Sequence, residues 1–180
     1  MVSAIRSKSF STATHIQSML LGIISDTHDR LKVTKKAVAL FKEAGITTLL
    51  HAGDFISPFV VPLLGDFQVY GTFGNNDGEK KGLLTKFDDI GACISEYFCE
   101  VRLDSLEIAV THGHIPALLE VLLKSQLYDL VVTGHTHNPK LKEGKTVVIN
   151  PGECCGYLSD RSTVAVFDTR KKKGEIIEIP

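Results

Sequence analysis

With 180 residues and 20 Lys or Arg against 21 Asp or Glu, the chain is long enough for one substantial core. Its formal charge of −1 is too near neutral for a protein built around a nucleic-acid backbone, so no stable nucleic-acid complex is expected. No apolar run approaches the roughly 18 residues that span a bilayer, which predicts a soluble protein with no membrane partner.

Residues 1–18 carry Arg6 and Lys8, many Ser and Thr and no acidic residue. That composition reads as a leader, a tag or a disordered extension, and a targeting segment has the same signature. The folding unit is expected to be a single domain over residues 19–180, with Met19 directly before the first strand. The cysteines, Cys93, Cys99, Cys154 and Cys155, form no paired C-x-x-C units and are expected to be reduced thiols in a cytoplasmic protein.

Leu20 to Ile24 is a short apolar run of strand length, broken by Ser25-Asp26-Thr27-His28. A side-chain period of two in extended chain would turn Asp26 and His28 the same way, as two metal ligands; Asp26 as a helix cap is the plainer alternative. Leu31 to Ala44 has the apolar stripe of an amphipathic helix and stops at Gly45. Thr47 to Leu50 reads as a second strand, ending in His51-Ala52-Gly53-Asp54. Ser57-Pro58 has the form of a helix start, with Pro62 keeping that helix short. Phe67 to Phe73 is a third strand, ending in Gly74-Asn75-Asn76-Asp77.

Leu83 to Ile90 is expected to be helical. Strands come next at Ala92 to Phe98, Glu100 to Leu103 and Leu106 to Val110, with Asp104-Ser105 as a hairpin turn. The last of these runs into Thr111-His112-Gly113-His114. Pro116 to Gln126 reads as a helix, and Asp129 to Val132 as a buried strand closed by Thr133-Gly134-His135-Thr136-His137. Strands at Thr146 to Asn150, Thr163 to Asp168 and Glu175 to Ile179 complete the chain, the last two separated by a solvated turn of Arg170 to Gly174. Strand-helix-strand units first and antiparallel hairpins afterwards suggest two packed mixed sheets flanked by helices.

Asp26, His28, Asp54, Asn75, His112, His135 and His137 thus all fall just after apolar β runs. Each has an ordinary turn or capping explanation, but the set is specific. In order, the blocks Asp26-Thr27-His28, Gly53-Asp54, Gly74-Asn75-Asn76-Asp77, His112 and Gly134-His135-Thr136-His137 resemble those of the calcineurin-like metallophosphoesterases. The compact size and Asn150-Pro151-Gly152 are most similar to the compact prokaryotic phosphodiesterase branch, which also contains the retromer scaffold subunit. The resemblance covers residues 19–180 and implies a four-layer α/β/β/α sandwich. It also implies one metal held by Asp26, His28, Asp54 and His137, and a second held by Asp54, Asn75, His112 and His135.

Oxygen and imidazole donors without thiolate suit borderline divalent ions, Mn²⁺ first, with Ni²⁺, Fe²⁺ or Zn²⁺ as alternatives. Two such ions imply metal-assisted phosphoester hydrolysis by metal-bound hydroxide, and the resemblance implies a phosphodiesterase acting on a small or nucleotide-derived phosphate ester. The catalytic candidates are Asp54, Asn75, Asn76 and His114. Much of the family has a histidine where Asn76 stands, and a neutral amide is no general acid near pH 7. His114 would share a face with His112 if the strand continued that far; a turn histidine set by Gly113 is the alternative. Asp77 is expected to orient Asn75 or an imidazole N–H. Glu153 stands where the family commonly has serine. The competing expectation is a weakly catalytic scaffold that keeps the fold, and self-association into a homo-oligomer is open to either.

Overall fold

The computed structural model describes residues 19–180; the predicted N-terminal extension lies outside the described residues. Strand β1 (Leu20–Ile24) leads into α1 (Leu31–Glu43) and β2 (Thr48–His51). A 3₁₀ helix (Val61–Leu64), β3 (Gln68–Thr72) and α2 (Lys80–Asp89) come after it. Next are β4 (Cys93–Ser95), β5 (Phe98–Leu103), β6 (Leu106–Thr111) and α3 (Pro116–Ser125). The chain ends with β7 (Leu130–Val132), β8 (Lys140–Lys142), β9 (Val147–Asn150), β10 (Thr163–Asp168) and β11 (Lys173–Glu178).

Two mixed sheets result, ordered β11-β10-β1-β2-β3-β4 and β5-β6-β7-β9-β8. In the first, β1 to β4 are parallel neighbours and β10 adds antiparallel to β1; in the second, β6, β7 and β9 are parallel, with β5 and β8 antiparallel at the edges. Three apolar layers hold four layers of structure. Leu49 and Val69 turn one way and pack with Phe41 of α1 and Phe87 of α2. Leu21, Ile23 and Leu50 turn the other way and meet Ile108, Val132 and Ile149 between the sheets. Ala109 and Val131 face Leu122 of α3 on the far side. The strand period of two thus loads both faces of each central strand, which is why these runs are apolar without alternation. The expected α/β/β/α sandwich is the architecture found.

Helix α1 ends as its sequence requires: Gly45 has φ of +70° and the amide of Ile46 donates to the carbonyl of Phe41, a glycine-dependent stop. Gly22 lets α1 approach β1, because a Cβ there would fall 2.4 Å from Leu49 and 3.1 Å from Phe41.

Some elements differ from their sequence expectation. Ser57 starts no helix: its hydroxyl donates to Asp29, and the 3₁₀ turn begins four residues later with Pro62 in its first turn. Phe98 belongs to β5, since it pairs with Thr111 across the hairpin. Strand β8 lacks an apolar pattern and exists through pairing with β9. Lys173 starts β11, and the remaining turn lysines are engaged, Lys171 with Asp168 and Lys172 with Asp129. All four cysteines are free, and among the described residues no helix is long and apolar enough to cross a membrane.

Candidate metal centre

Strand β1 stops at Ile24, so Asp26 and His28 are not brought together by the extended-chain period predicted for them. Both have left-handed backbones, with φ of +52° and +42°, and so do Asp54, His135 and His137. Asp and His tolerate this region better than most residues, yet each such position costs on the order of 1–2 kcal/mol. Five of them at one end of the sheets is the clustering of strain expected at a functional site. Nor does Asp26 cap α1, which begins after Arg30 without a side-chain capping bond.

Curled this way, the strand ends point polar atoms at one place. Asp26 Oδ2 accepts from Ser25 Oγ at 2.6 Å and from the backbone amide of His135 at 3.2 Å. Its other oxygen, Oδ1, is buried without a hydrogen bond and lies 3.2 Å from His137 Nε2 and 3.8 Å from His28 Nε2, itself buried and unbonded. Asp54 Oδ2 lies 3.4 Å from His28 Nε2 and 3.4 Å from His112 Nε2. Donor atoms of Asp26, His28, Asp54 and His137 all fall within 4.8 Å of one another.

The partner set gathers around His112. Its Nδ1 is 2.7 Å from the carbonyl of Ala52, which only accepts, so Nδ1 carries the proton. His112 Nε2 lies 3.0 Å from Asn75 Oδ1 and 3.4 Å from Asp54 Oδ2, so the ring faces two oxygen donors. A proton on Nε2 satisfies this arrangement, and so would a cation replacing that proton. The ring of His135 is 5.1 Å from that of His112.

Electrostatics agree with the geometry. Burial would raise the carboxyl of Asp26, but contact with His137 and His28 outweighs it and holds the group below its ordinary value. Asp54 is likewise lowered, burial being overcome by His112 and by Asn76. His137 is raised to about 9, chiefly by Asp26. The neighbouring imidazoles hold protons that balance the charge of these ionised carboxylates.

Two glycines make room. A Cβ at Gly74 would sit 2.1 Å from Asp54 Oδ1, and one at Gly134 would sit 1.9 Å from Ser25 Oγ and 2.8 Å from Asp26 Oδ2. Asp77 does not orient Asn75 or an imidazole as expected. It accepts from the backbone amides of Gly74 (2.7 Å), Asp54 (3.0 Å) and Ile56 (2.7 Å), holding two strand ends together. Asn150 braces the His135 loop, donating to the carbonyl of Gly134 at 2.7 Å.

His114 lies beyond the end of β6, placed by Gly113 at φ of +98°, so the strand does not continue to it. Its ring is 5.4 Å from that of His112 and 6.3 Å from that of His135, and its Nδ1 is buried without a partner. Asn76 is exposed beside Asp54.

An open cavity of about 360 Å³ is lined by His28, Asp54, Asn75, Asn76, His135, His137, Tyr157 and Leu158. A larger one, about 690 Å³ between α3 and β8, holds none of the candidate ligands, so convergent chemistry and not size marks the site. Sequence reasoning missed Glu153, fully buried against His137, and the Tyr157 and Leu158 wall. Glu153 at an otherwise serine-bearing position was the available signal. His137, Glu153 and Cys155 also cluster closely; here the Cys155 thiol, raised by burial, donates to Glu153 at 3.1 Å.

The calcineurin-like phosphoesterase superfamily domain matches residues 19–172. The chain is 43% identical to phosphodiesterase MJ0936 of Methanocaldococcus jannaschii over 86% of its own length and 96% of the relative's. It superposes with a TM-score of 0.84 on a solved archaeal phosphodiesterase, at 42% identity, covering 89% of this chain and 99% of that one. Vps29 from Entamoeba histolytica shares the fold, with a TM-score of 0.66 at 19% identity over 90% of this chain and 100% of that one.

Proposed function

Since this chain belongs to the calcineurin-like phosphoesterase superfamily, we propose that it is a dinuclear metal-dependent phosphodiesterase acting on a small or nucleotide-derived phosphate ester. Residues 19–180 are the catalytic unit of this reading, working in the cytoplasm, with Mn²⁺ the first candidate ion and Ni²⁺, Fe²⁺ and Zn²⁺ behind it. One observation carries it: Asp54 Oδ2 stands 3.4 Å from His28 and 3.4 Å from His112, imidazoles assigned to different ions.

The donor set fits a pair of ions. Asp26 Oδ1 and His28 Nε2 are buried without hydrogen bonds, a costly state in a finished protein unless a cation satisfies them. Asp26, His28, Asp54 and His137 would hold one ion, and Asp54, Asn75, His112 and His135 the other. When bound, two divalent ions supply Lewis acidity toward a phosphoryl oxygen and make water acidic enough to be a nucleophile near neutral pH.

The side chains do the rest. Two aspartates do not cancel the charge of two divalent ions, so the centre attracts a phosphate anion. Asn76 steadies Asp54 through two hydrogen bonds and carries no titratable proton, so it cannot protonate a leaving oxygen. Of the catalytic candidates, His114 is the one whose ring can exchange a proton, and it stands beside His112 and His135.

Metal analysis of the purified chain, with an aryl phosphodiester assay with and without Mn²⁺, tests the proposal. Two ions per chain and Mn²⁺-dependent turnover are expected. Two bound ions with no turnover on aryl or nucleotide diesters would favour the scaffold reading, to which the fold likeness with Vps29 points.

A further inference from the structure

Glu153 has no part in either ion's ligand set, yet it is fully buried and saturated with donors. Its Oε2 accepts from His137 Nδ1 at 2.9 Å, from Cys155 Sγ at 3.1 Å and from the amide of Tyr157 at 2.8 Å. Oε1 accepts from the amides of Leu158, at 2.9 Å, and Ser159. A buried carboxylate is tolerated only when paired and hydrogen-bonded, and here three consecutive backbone amides and one imidazole meet that need together.

The segment around it is fixed to the exit of β1. The amides of Cys154 and Cys155 donate at 3.0 Å to the carbonyls of Ser25 and Asp26, and Arg30 donates to the carbonyl of Cys155. The guanidinium of Arg30 also lies over the Tyr157 ring, 5.2 Å from its centroid. Tyr157 and Leu158 are nevertheless 57% and 77% exposed, and both line the cavity of the candidate metal centre. Large apolar side chains left uncovered on a clamped backbone form a preorganised surface, one that suits a planar aromatic group.

Resting on the function proposed above, we propose that Glu153 is a positioning residue: one buried carboxylate turns His137 Nε2 toward the ion shared with Asp26 and sets the Tyr157–Leu158 wall against which the aromatic portion of the ester lies. Glu153 accepts the proton on Nδ1, so Nε2, 3.2 Å from Asp26, is left as the ligating atom. Carboxylates behind ligating histidines typically change metal affinity about 10–100-fold when removed. Binding of the ion and placement of the substrate wall therefore depend on the same side chain.

The test uses the full chain and reads Mn²⁺ affinity by calorimetry, amide exchange at 157–159, and KM for an aryl phosphodiester. Glu153→Gln turns an amide NH₂ into a cage of donors. It should weaken one ion about 10–100-fold, leave the other as in wild type, speed exchange at 157–159 and raise KM. Tyr157→Ala should raise KM with both ion affinities unchanged. Glu153→Asp, with the same charge one methylene short, should repeat the Gln pattern and stands in for it if Gln does not fold. Wild-type ion affinities in the folded Gln variant or in Asp, or equal weakening of both ions with unchanged exchange, would overturn the proposal. A wild-type chain that binds ions but cleaves no ester removes the proposed function and leaves affinity and exchange to decide on Glu153.

Discussion

Asn76 lays its side-chain amide on the carboxylate of Asp54, donating from Nδ2 to Oδ2 at 2.7 Å while its backbone amide donates to Oδ1 at 2.9 Å. The residue that replaces the family's usual histidine therefore holds the carboxylate assigned to both ions, and it supplies no proton. Without a positioned acid, hydrolysis should depend steeply on leaving-group acidity, aryl esters being cleaved far better than alkyl ones. Asn76→His should help alkyl esters selectively, by less than the about 10²–10⁴-fold of a well-placed general acid, because the clamp on Asp54 is lost. The check is kcat/KM for a matched alkyl and aryl pair in both proteins, with metal content measured. Equal gains on both substrates would show that protonation comes from elsewhere, with His114 the first residue to examine.

If Asp54 serves both ions as proposed, removing it should be more damaging than removing a ligand assigned to one ion alone. Asp54→Ala is expected to abolish hydrolysis and to lose or scramble both ions, whereas His137→Ala should weaken chiefly one. Elemental analysis after dialysis reads this directly. Two ions per chain and near-normal turnover in Asp54→Ala would exclude the bridging assignment.

Gly74→Ala puts a methyl where Asp54 Oδ1 now stands, 2.1 Å from the ideal Cβ. Overpacking of this kind costs about 1–3 kcal/mol, and here the displaced atom belongs to the candidate metal centre. We expect Mn²⁺ affinity to fall markedly alongside a modest loss of stability. Denaturant titration of the metal-free variant separates the two, and an unaltered Mn²⁺ affinity would contradict the packing seen around Asp54.

The metal-free protein should be most stable near pH 6.5. His51, buried against Phe55 with ring centroids 3.6 Å apart, is lowered to about 3 mainly by burial. The unfolded chain binds the proton that folded His51 refuses, so this contribution is complete above about 6.5 and is lost as pH falls toward 3. His137 behaves oppositely: raised to about 9, chiefly by Asp26, its contribution is complete below about 6.5 and is lost as pH rises through about 9. His112 is raised as well, with burial opposing and Asp54 prevailing, and adds to the alkaline loss. Saturating Mn²⁺ should remove that alkaline limb, since ligating nitrogens hold no proton. Unfolding curves from pH 5 to 9 in chelator and in Mn²⁺ test this. Metal-free stability climbing steadily to pH 9 would show that the contact between Asp26 and His137 does not hold a proton.

Local chemistry made much of this protein legible from residue order. Apolar runs at Leu20–Ile24, Leu106–Val110 and Thr163–Asp168 marked strands, Gly45 marked the end of α1, and Asp104-Ser105 marked a hairpin, because each depends on neighbours a few positions away. The side chains that come together in the candidate metal centre stand out by type and by their place after strands. How they converge does not. Asp26 and His28 meet through left-handed turns and not through a strand's alternation, and those turns are held by distant partners: the amide of Asp26 donates to Gly53, that of His28 to Asp54, and Asp26 in turn receives His135. Strand β8, with no apolar period, exists only because β9 offers it a free edge. Asp77 reads in the sequence as a partner for Asn75 or an imidazole, and Glu153 only as a departure from the family's serine. Burial makes Asp77 an acceptor for the amides of Asp54 and Ile56 from another segment, and makes Glu153 an acceptor for His137 from another loop and for the amides of its own. A sequence carries the preferences of each residue for its own backbone and for water. A buried carboxylate or a strained φ is decided by partners that only the packed sheets deliver, since their hydrogen bonds offset the desolvation and strain that the isolated segment would not bear.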